Sequence, residues 1–361
     1  MGAIYSSASL TLVAASGDDP TYGLPGISRP PTHYGQFGGT RDNPITCVHT
    51  SKWASRAWTF QESYLSQRRL LFTDAGLIFL CNTDMEMQGD VEWFNLERAR
   101  VALKDFAYQN SDYSVDGMFS ILQQFARRDL SFESDALNAI IGVLNLFLAR
   151  PDPIYHVWGV PLWYQGTPQS ALPILALNWE TSGGLNARRP GFPSWSPLGW
   201  KAKNLSFSSS ETQFKCHYGF GVGFSDNHDG QQICPSGSDI SAFETQCVLV
   251  TAYTVEFSSS FGPCNSEDSS YSLVQSLFRR SWFFLFKWDR RDFEGDITSS
   301  FLCIFDSRNL QQGLILKCCG QFYERVGCLR RIAFAGGPSH HISCTHYLND
   351  RHPRLRTLLL H

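Results

Sequence analysis

Apolar residues recur with two periods along this chain, and the change between them divides it. Residues 1–9 read as the last turns of a helix. Leu10–Ala15 is an apolar run suited to a buried parallel strand, closed by Gly17-Asp18-Asp19-Pro20. Residues 20–52, rich in Gly, Pro, Thr and Asn, read as one long loop. Ser55–Tyr64 has no Gly or Pro and reads as a helix with Ser55 as its N-cap. It carries two adjacent stripes, Ala57/Phe60/Tyr64 and Trp58/Glu62/Leu65. Arg68–Thr73 and Gly76–Cys81 read as short strands joined at Asp74-Ala75-Gly76. Strand, loop, helix, strand is the rhythm of an open α/β sheet.

Further on, residues 91–128 place apolar side chains at helical spacing among charges, with a helix predicted over Val115–Arg127. Asp135–Leu148 reads as another, opened by Ser134. Its stripe is Ala136, Ile140, Val143, Leu144 and Phe147. Pro151 and Pro153 mark a boundary. Beyond it, Ala171–Trp179 reads as a helix, whereas Lys215–Phe224, Gln246–Phe257, Ser300–Phe305, Gly313–Cys318 and Tyr323–Phe334 read as strands. The pattern predicts an α/β segment over 1–90, a helical segment over 91–150 and a β-rich region over 151–361, α+β overall.

Composition narrows this picture. The 361 residues are 43% hydrophobic and 14% aromatic, enough for a sizeable core. A net charge of −3 gives no electrostatic case for nucleic acid. The 11 cysteines form no regular framework, and no secretory signal precedes them, which points to a reducing, cytoplasmic setting. The longest apolar run, Asn138–Ala149, is too short to span a membrane. His340, His341, Cys344 and His346 cluster in sequence and Cys318, Cys319 and Cys328 lie upstream, but without the regular spacing of a zinc site. No metal is assigned.

The run W-x-x-R-A-W-T-F-Q-E, then L-S and R-R-L-x-F, comprises Trp53, Arg56, Ala57, Trp58, Thr59, Phe60, Gln61, Glu62, Leu65, Ser66, Arg68, Arg69, Leu70 and Phe72. It resembles the end of the fungal heterokaryon-incompatibility (HET) domain. Ile4–Ala15 resembles the helix end and strand before that motif, and Gly23–Gly26 its loop. Ser134–Ala139 and Phe192–Ser196 resemble segments that often follow the domain. Nothing here corresponds to the family's first strand or its aspartate-bearing second strand and helix. The resemblance therefore implies an N-terminally truncated product or a mis-started reading frame. Its functional implication is non-self recognition and cell-death signalling through protein partners or self-association; an inactive remnant is the bland alternative.

HET domains look like distant relatives of Toll/interleukin-1-receptor (TIR) domains, so the first sheet is expected to be part of a TIR-like parallel sheet. In enzymatic TIR domains a Glu on the corresponding helix supports cleavage of NAD. By that resemblance Glu62 is the catalytic candidate and NAD the substrate. A positioned carboxylate stabilises an oxocarbenium-like centre and binds ribose hydroxyls. The structural alternative pairs Glu62 with Arg56, Arg68 or Arg69. Trp53, Arg56, Trp58, Gln61, Arg68 and Arg69 complete the candidate ligand-binding or structural motif.

Overall fold

The computed structural model describes residues 2–29, 44–87, 103, 113–165, 172–182, 187–208, 221–225, 232–233, 248–258, 271–275, 283–288, 300–305, 312–332, 345–347 and 354–361. They fall into two compact units, Met1–Arg150 and Pro151–His361.

The first unit opens with α1 (Gly2–Ser7) and β1 (Thr11–Ala14). Then come α2 (Pro44–Thr50), α3 (Lys52–Ser55), α4 (Thr59–Leu65), β2 (Arg68–Thr73), β3 (Gly76–Cys81) and β4 (Met85–Met87). The sheet order is β1-β2-β3-β4. Only β1 and β2 are parallel, Thr11 opposite Arg69 and Ala14 opposite Phe72. The β2–β3 and β3–β4 pairs are antiparallel, so the sheet is mixed rather than parallel throughout. Alternation aims Val13, Ala15, Leu71, Ile78 and Leu80 at one face, where they pack with Ile45, Val48, Trp53 and Ala54 of α2 and α3. Gly76 has φ 138, a backbone that a side chain would strain, and it closes the β2–β3 hairpin as expected.

Several elements differ from the sequence reading. The helix expected over Ser55–Tyr64 is two helices, broken at Arg56-Ala57. There the Asp129 N–H donates to Ser55 O at 2.6 Å and the Ala57 N–H donates to Asp129 O at 2.8 Å. Those backbone groups are spent on an extended partner, so Arg56 is itself extended, ψ 135, and the helical ladder stops. Ser51, not Ser55, caps α3, through Ala54 N–H at 3.0 Å. Within the expected loop, α2 forms because Ile45 and Val48 are buried on one side; residues 30–43 lie outside the described residues.

Farther along, α5 (Val115–Ala126) is capped by Ser114, whose hydroxyl accepts from the Gly117 N–H at 3.1 Å. The helix expected over Asp135–Leu148 is instead a 3-10 turn (Glu133–Asp135), turns, α6 (Ile141–Leu144) and a second 3-10 stretch (Asn145–Ala149). Ser134 caps nothing there. The predicted stripe is nevertheless buried, Ala136, Ile140, Val143 and Leu144 all at 0% exposure. Periodicity reported which side faces inward, not which hydrogen bonds close. Residues 91–112 lie outside the described residues except Leu103, which is helical and buried.

The second unit is β-rich. Strands β5 (Tyr155–Val157), β6 (Val160–Gln165) and β7 (Leu172–Leu175) form one antiparallel sheet; β8 (Trp179–Ser182) and β9 (Asn204–Phe207) form another. The helix expected over Ala171–Trp179 is therefore wrong. Leu172–Leu175 pairs with β6, Leu162 opposite Leu175, and a short apolar run satisfies either period.

A ten-stranded sheet holds β10 (Gly221–Ser225), β11 (Gln232–Ile233), β12 (Val248–Ser258), β13 (Tyr271–Gln275), β14 (Phe283–Trp288) and β15 (Ser300–Phe305). It is completed by β16 (Gln312–Cys319), β17 (Phe322–Ile332), β18 (Thr345–Tyr347) and β19 (Arg354–Leu360). Its pairs are antiparallel except β13–β18 and β17–β19. Phe192–Trp200 packs as a buried loop, with Trp179 Nε1 donating to Trp195 O at 3.0 Å and Trp200 Nε1 to Ser194 O at 2.9 Å.

Candidate functional site

The α3–α4 corner gathers most of the candidate residues. Thr59 holds the corner by donating its hydroxyl to Trp53 O at 2.5 Å and to Arg56 O at 2.7 Å. The turn this creates carries Glu62 back over α3. Its Oε2 accepts from Trp53 Nε1 at 3.0 Å, and its Oε1 accepts from Tyr5 Oη of α1 at 3.0 Å. Glu62 is half-buried, while Trp53 is 8% exposed and belongs to the core. Burial, then the Glu62 charge and the shared hydrogen bond, push the Tyr5 phenol up to about 12, so at neutral pH it stays a donor.

The alternative pairing of Glu62 with an arginine does not occur: its carboxylate accepts from Trp53 and Tyr5. Arg56 and Arg68 are exposed. Arg69 is wholly buried: its Nη1 donates to Ser63 O, its Nη2 reaches Asn82 Oδ1 at 3.4 Å, and its Nε has no hydrogen-bond partner. Burial pushes that guanidinium down to about 10, which Cys81 partly offsets; it remains a cation at neutral pH. Arg69 thus ties the end of α4 to β2 through the residue after Glu62.

The other motif residues look away from the carboxylate. Trp58 Nε1 donates to Asp135 Oδ2 at 3.1 Å. Gln61 is buried and its Nε2 donates to Asn138 O at 2.8 Å. A Cβ at Gly142 would overlap Gln61 Oε1, so α4 and α6 meet at a glycine contact. Arg128, missed by the sequence reading, is buried with its guanidinium 4.8 Å from the Phe60 ring centroid, and donates to Thr59 Oγ1 at 3.0 Å. Tyr5 was also missed as a site residue. It stands 57 positions before Glu62, and no local pattern links the two.

Chemically, the corner presents a carboxylate oriented by two neutral donors, the Tyr5 hydroxyl and the Trp53 indole. Such a group can accept from ligand hydroxyls or face a developing positive charge. Among the described residues, no group of three or more His, Cys, Asp or Glu could hold a metal ion. His340, His341 and Cys344 lie outside them. Nor is any helix among them long and apolar enough to cross a membrane.

No curated protein and no solved structure matches the chain. A family model does: the heterokaryon incompatibility protein (HET) model matches residues 1–62, the stretch from α1 to the carboxylate on α4. Over residues 1–62 this chain is therefore similar to the heterokaryon incompatibility protein (HET) family.

Proposed function

We propose that the chain acts in fungal non-self recognition, triggering growth arrest or cell death as a signalling module that works by protein association or self-association. The observation that carries this reading is the HET match, whose last residue is the oriented Glu62. Expression in a fungal host tests it. Growth should stop on induction while the cellular NAD level holds; undisturbed growth with the folded chain present would refute it.

A second reading is favoured by one observation: Glu62 is held in place without being neutralised by Arg56, Arg68 or Arg69. In that reading the chain cleaves the nicotinamide–ribose bond of NAD. Glu62 stabilises the charge on the ribose, and Trp53 keeps the carboxylate aimed. The same cultures decide between the two. NAD that falls with wild type and holds with Glu62→Ala establishes turnover; NAD that holds with both leaves signalling by association.

A further inference from the structure

The geometry points to Arg128 as a positioning residue for Glu62, one that fixes the α3–α4 corner from outside the stretch matched by the HET model. That role rests on the reading of Glu62 as the working group.

Glu62 is aimed by the Trp53 indole, and Trp53 is fixed by the corner that follows it. Two carbonyls turn inward at that corner. Thr59 Oγ1 lies 2.5 Å from Trp53 O and 2.7 Å from Arg56 O, yet a hydroxyl has one proton to donate. Arg128 settles the division. Its Nη1 carries two hydrogens and donates to Arg56 O at 3.2 Å and to Thr59 Oγ1 at 3.0 Å. With Arg56 O supplied by the guanidinium, and Thr59 Oγ1 accepting from it, the Thr59 proton is left for Trp53 O. Thr59 opens α4, and Glu62 follows on the same face of that helix. The bond from Thr59 to Trp53 O therefore sets the separation across which Trp53 Nε1 reaches Glu62 Oε2 at 3.0 Å. Arg128 is itself firmly placed. It is 9% exposed, its backbone N–H donates to Phe125 O at 3.0 Å at the end of α5, and its guanidinium lies over the Phe60 ring. The next residue, Asp129, brackets Arg56 through its backbone bonds to Ser55 and Ala57. A buried network satisfied in this way rigidifies the groups it links, and here the links run from Arg128 through Thr59 and Trp53 to the carboxylate.

The test follows the Trp53 indole N–H by NMR in the full chain. Trp53→Phe assigns its signal, and Glu62→Gln gives its position without the carboxylate charge. In Arg128→Met the Thr59 hydroxyl is free to swing to Arg56 O. The Trp53 signal should then move about half-way or more to its Glu62→Gln position, and its exchange with solvent should rise several-fold. The indole signals of Trp179 and Trp200, bonded within the second unit, should stay in place. Thr59→Val removes the hydroxyl at nearly constant shape and should shift the Trp53 signal alike. The double variant should move it no further, because both substitutions act through one bond. A Trp53 signal unmoved in Arg128→Met, or shifts of the two variants that simply add, would overturn the role and leave Arg128 as core packing. Should Arg128→Met not fold, Thr59→Val decides: a moved Trp53 signal supports the relay, and an unmoved one overturns it. Neither growth arrest nor NAD enters these signals, so failure of the positioning role and failure of the functional reading are separate results.

Discussion

Among the described residues, each unit has one arginine buried almost completely, Arg69 and Arg325, and the two are satisfied to different degrees. Arg325 in the second unit donates from Nη1 to Leu177 O at 2.7 Å and from Nη2 to Trp179 O at 2.5 Å, with its guanidinium 3.3 Å from the Trp179 ring centroid. Its backbone N–H is also satisfied, by Ser194 Oγ at 2.9 Å. Arg69 in the first unit donates from Nη1 to Ser63 O, but its Nε has no hydrogen-bond partner and its Nη2 makes only a long bond to Asn82 Oδ1, at 3.4 Å. A buried charge with directed acceptors and an aromatic face locks strands together. One with an orphaned donor retains much of its desolvation cost. The unit that contains the HET match is also the one whose Glu62 carboxylate is held by two neutral donors, Trp53 and Tyr5.

Substitutions can break the comparison. Arg325→Met should cost about 3–5 kcal/mol, because it strands two carbonyls and removes the cation from Trp179. Urea unfolding followed by Trp fluorescence reads this as a lowered midpoint. A loss under about 1 kcal/mol would mean the arginine is as poorly served as Arg69.

A second test uses acid. The Nδ1 of His156 is buried without a hydrogen-bond partner, and burial pushes the imidazole down to about 4. The folded chain therefore keeps His156 neutral where the unfolded chain, with an ordinary histidine near 6.5, takes up a proton. Stability from this group is full above pH ~6.5, falls as the pH drops toward about 4, and is constant below that. The loss is roughly 3 kcal/mol. In His156→Phe the melting temperature should fall less steeply over that window; identical slopes would refute the assignment.

Trp53→Phe sharpens the first-unit side. It removes the fixed donor to Glu62 and some core volume, for about 1–2 kcal/mol by thermal melting. Smallest of all, Arg69→Met should cost about 1 kcal/mol: it strands Ser63 O, but removal of a buried charge with an orphaned Nε offsets much of that. A loss comparable to that of Arg325→Met would abolish the distinction between the two arginines.

Where neighbours in sequence decide the structure, the sequence was legible. Strands Arg68–Thr73 and Gly76–Cys81 fall where alternation and a single hairpin turn put them, as does Ser300–Phe305. The helix from Val115 ends within one residue of its predicted stop. The misses are decided by distant partners. Arg56 breaks its helix because Asp129 supplies backbone bonds that no local pattern announces. Leu172–Leu175 becomes a strand because β6 lies beside it. The candidate site divides in the same way. Glu62 could be nominated from its motif, but its partners could not. The nearby arginines looked like the obvious counter-charges, yet the donors are Tyr5, 57 positions earlier, and Trp53, brought round by a corner invisible in the helical period.

The central claim is that the HET segment acts through the carboxylate on α4, and Glu62→Gln tests it most directly, since the amide keeps the shape and removes the charge. Induced in the same fungal host, at matched protein level and melting temperature, the variant should fail to arrest growth where wild type arrests it. Full arrest by a folded Glu62→Gln chain would contradict the account.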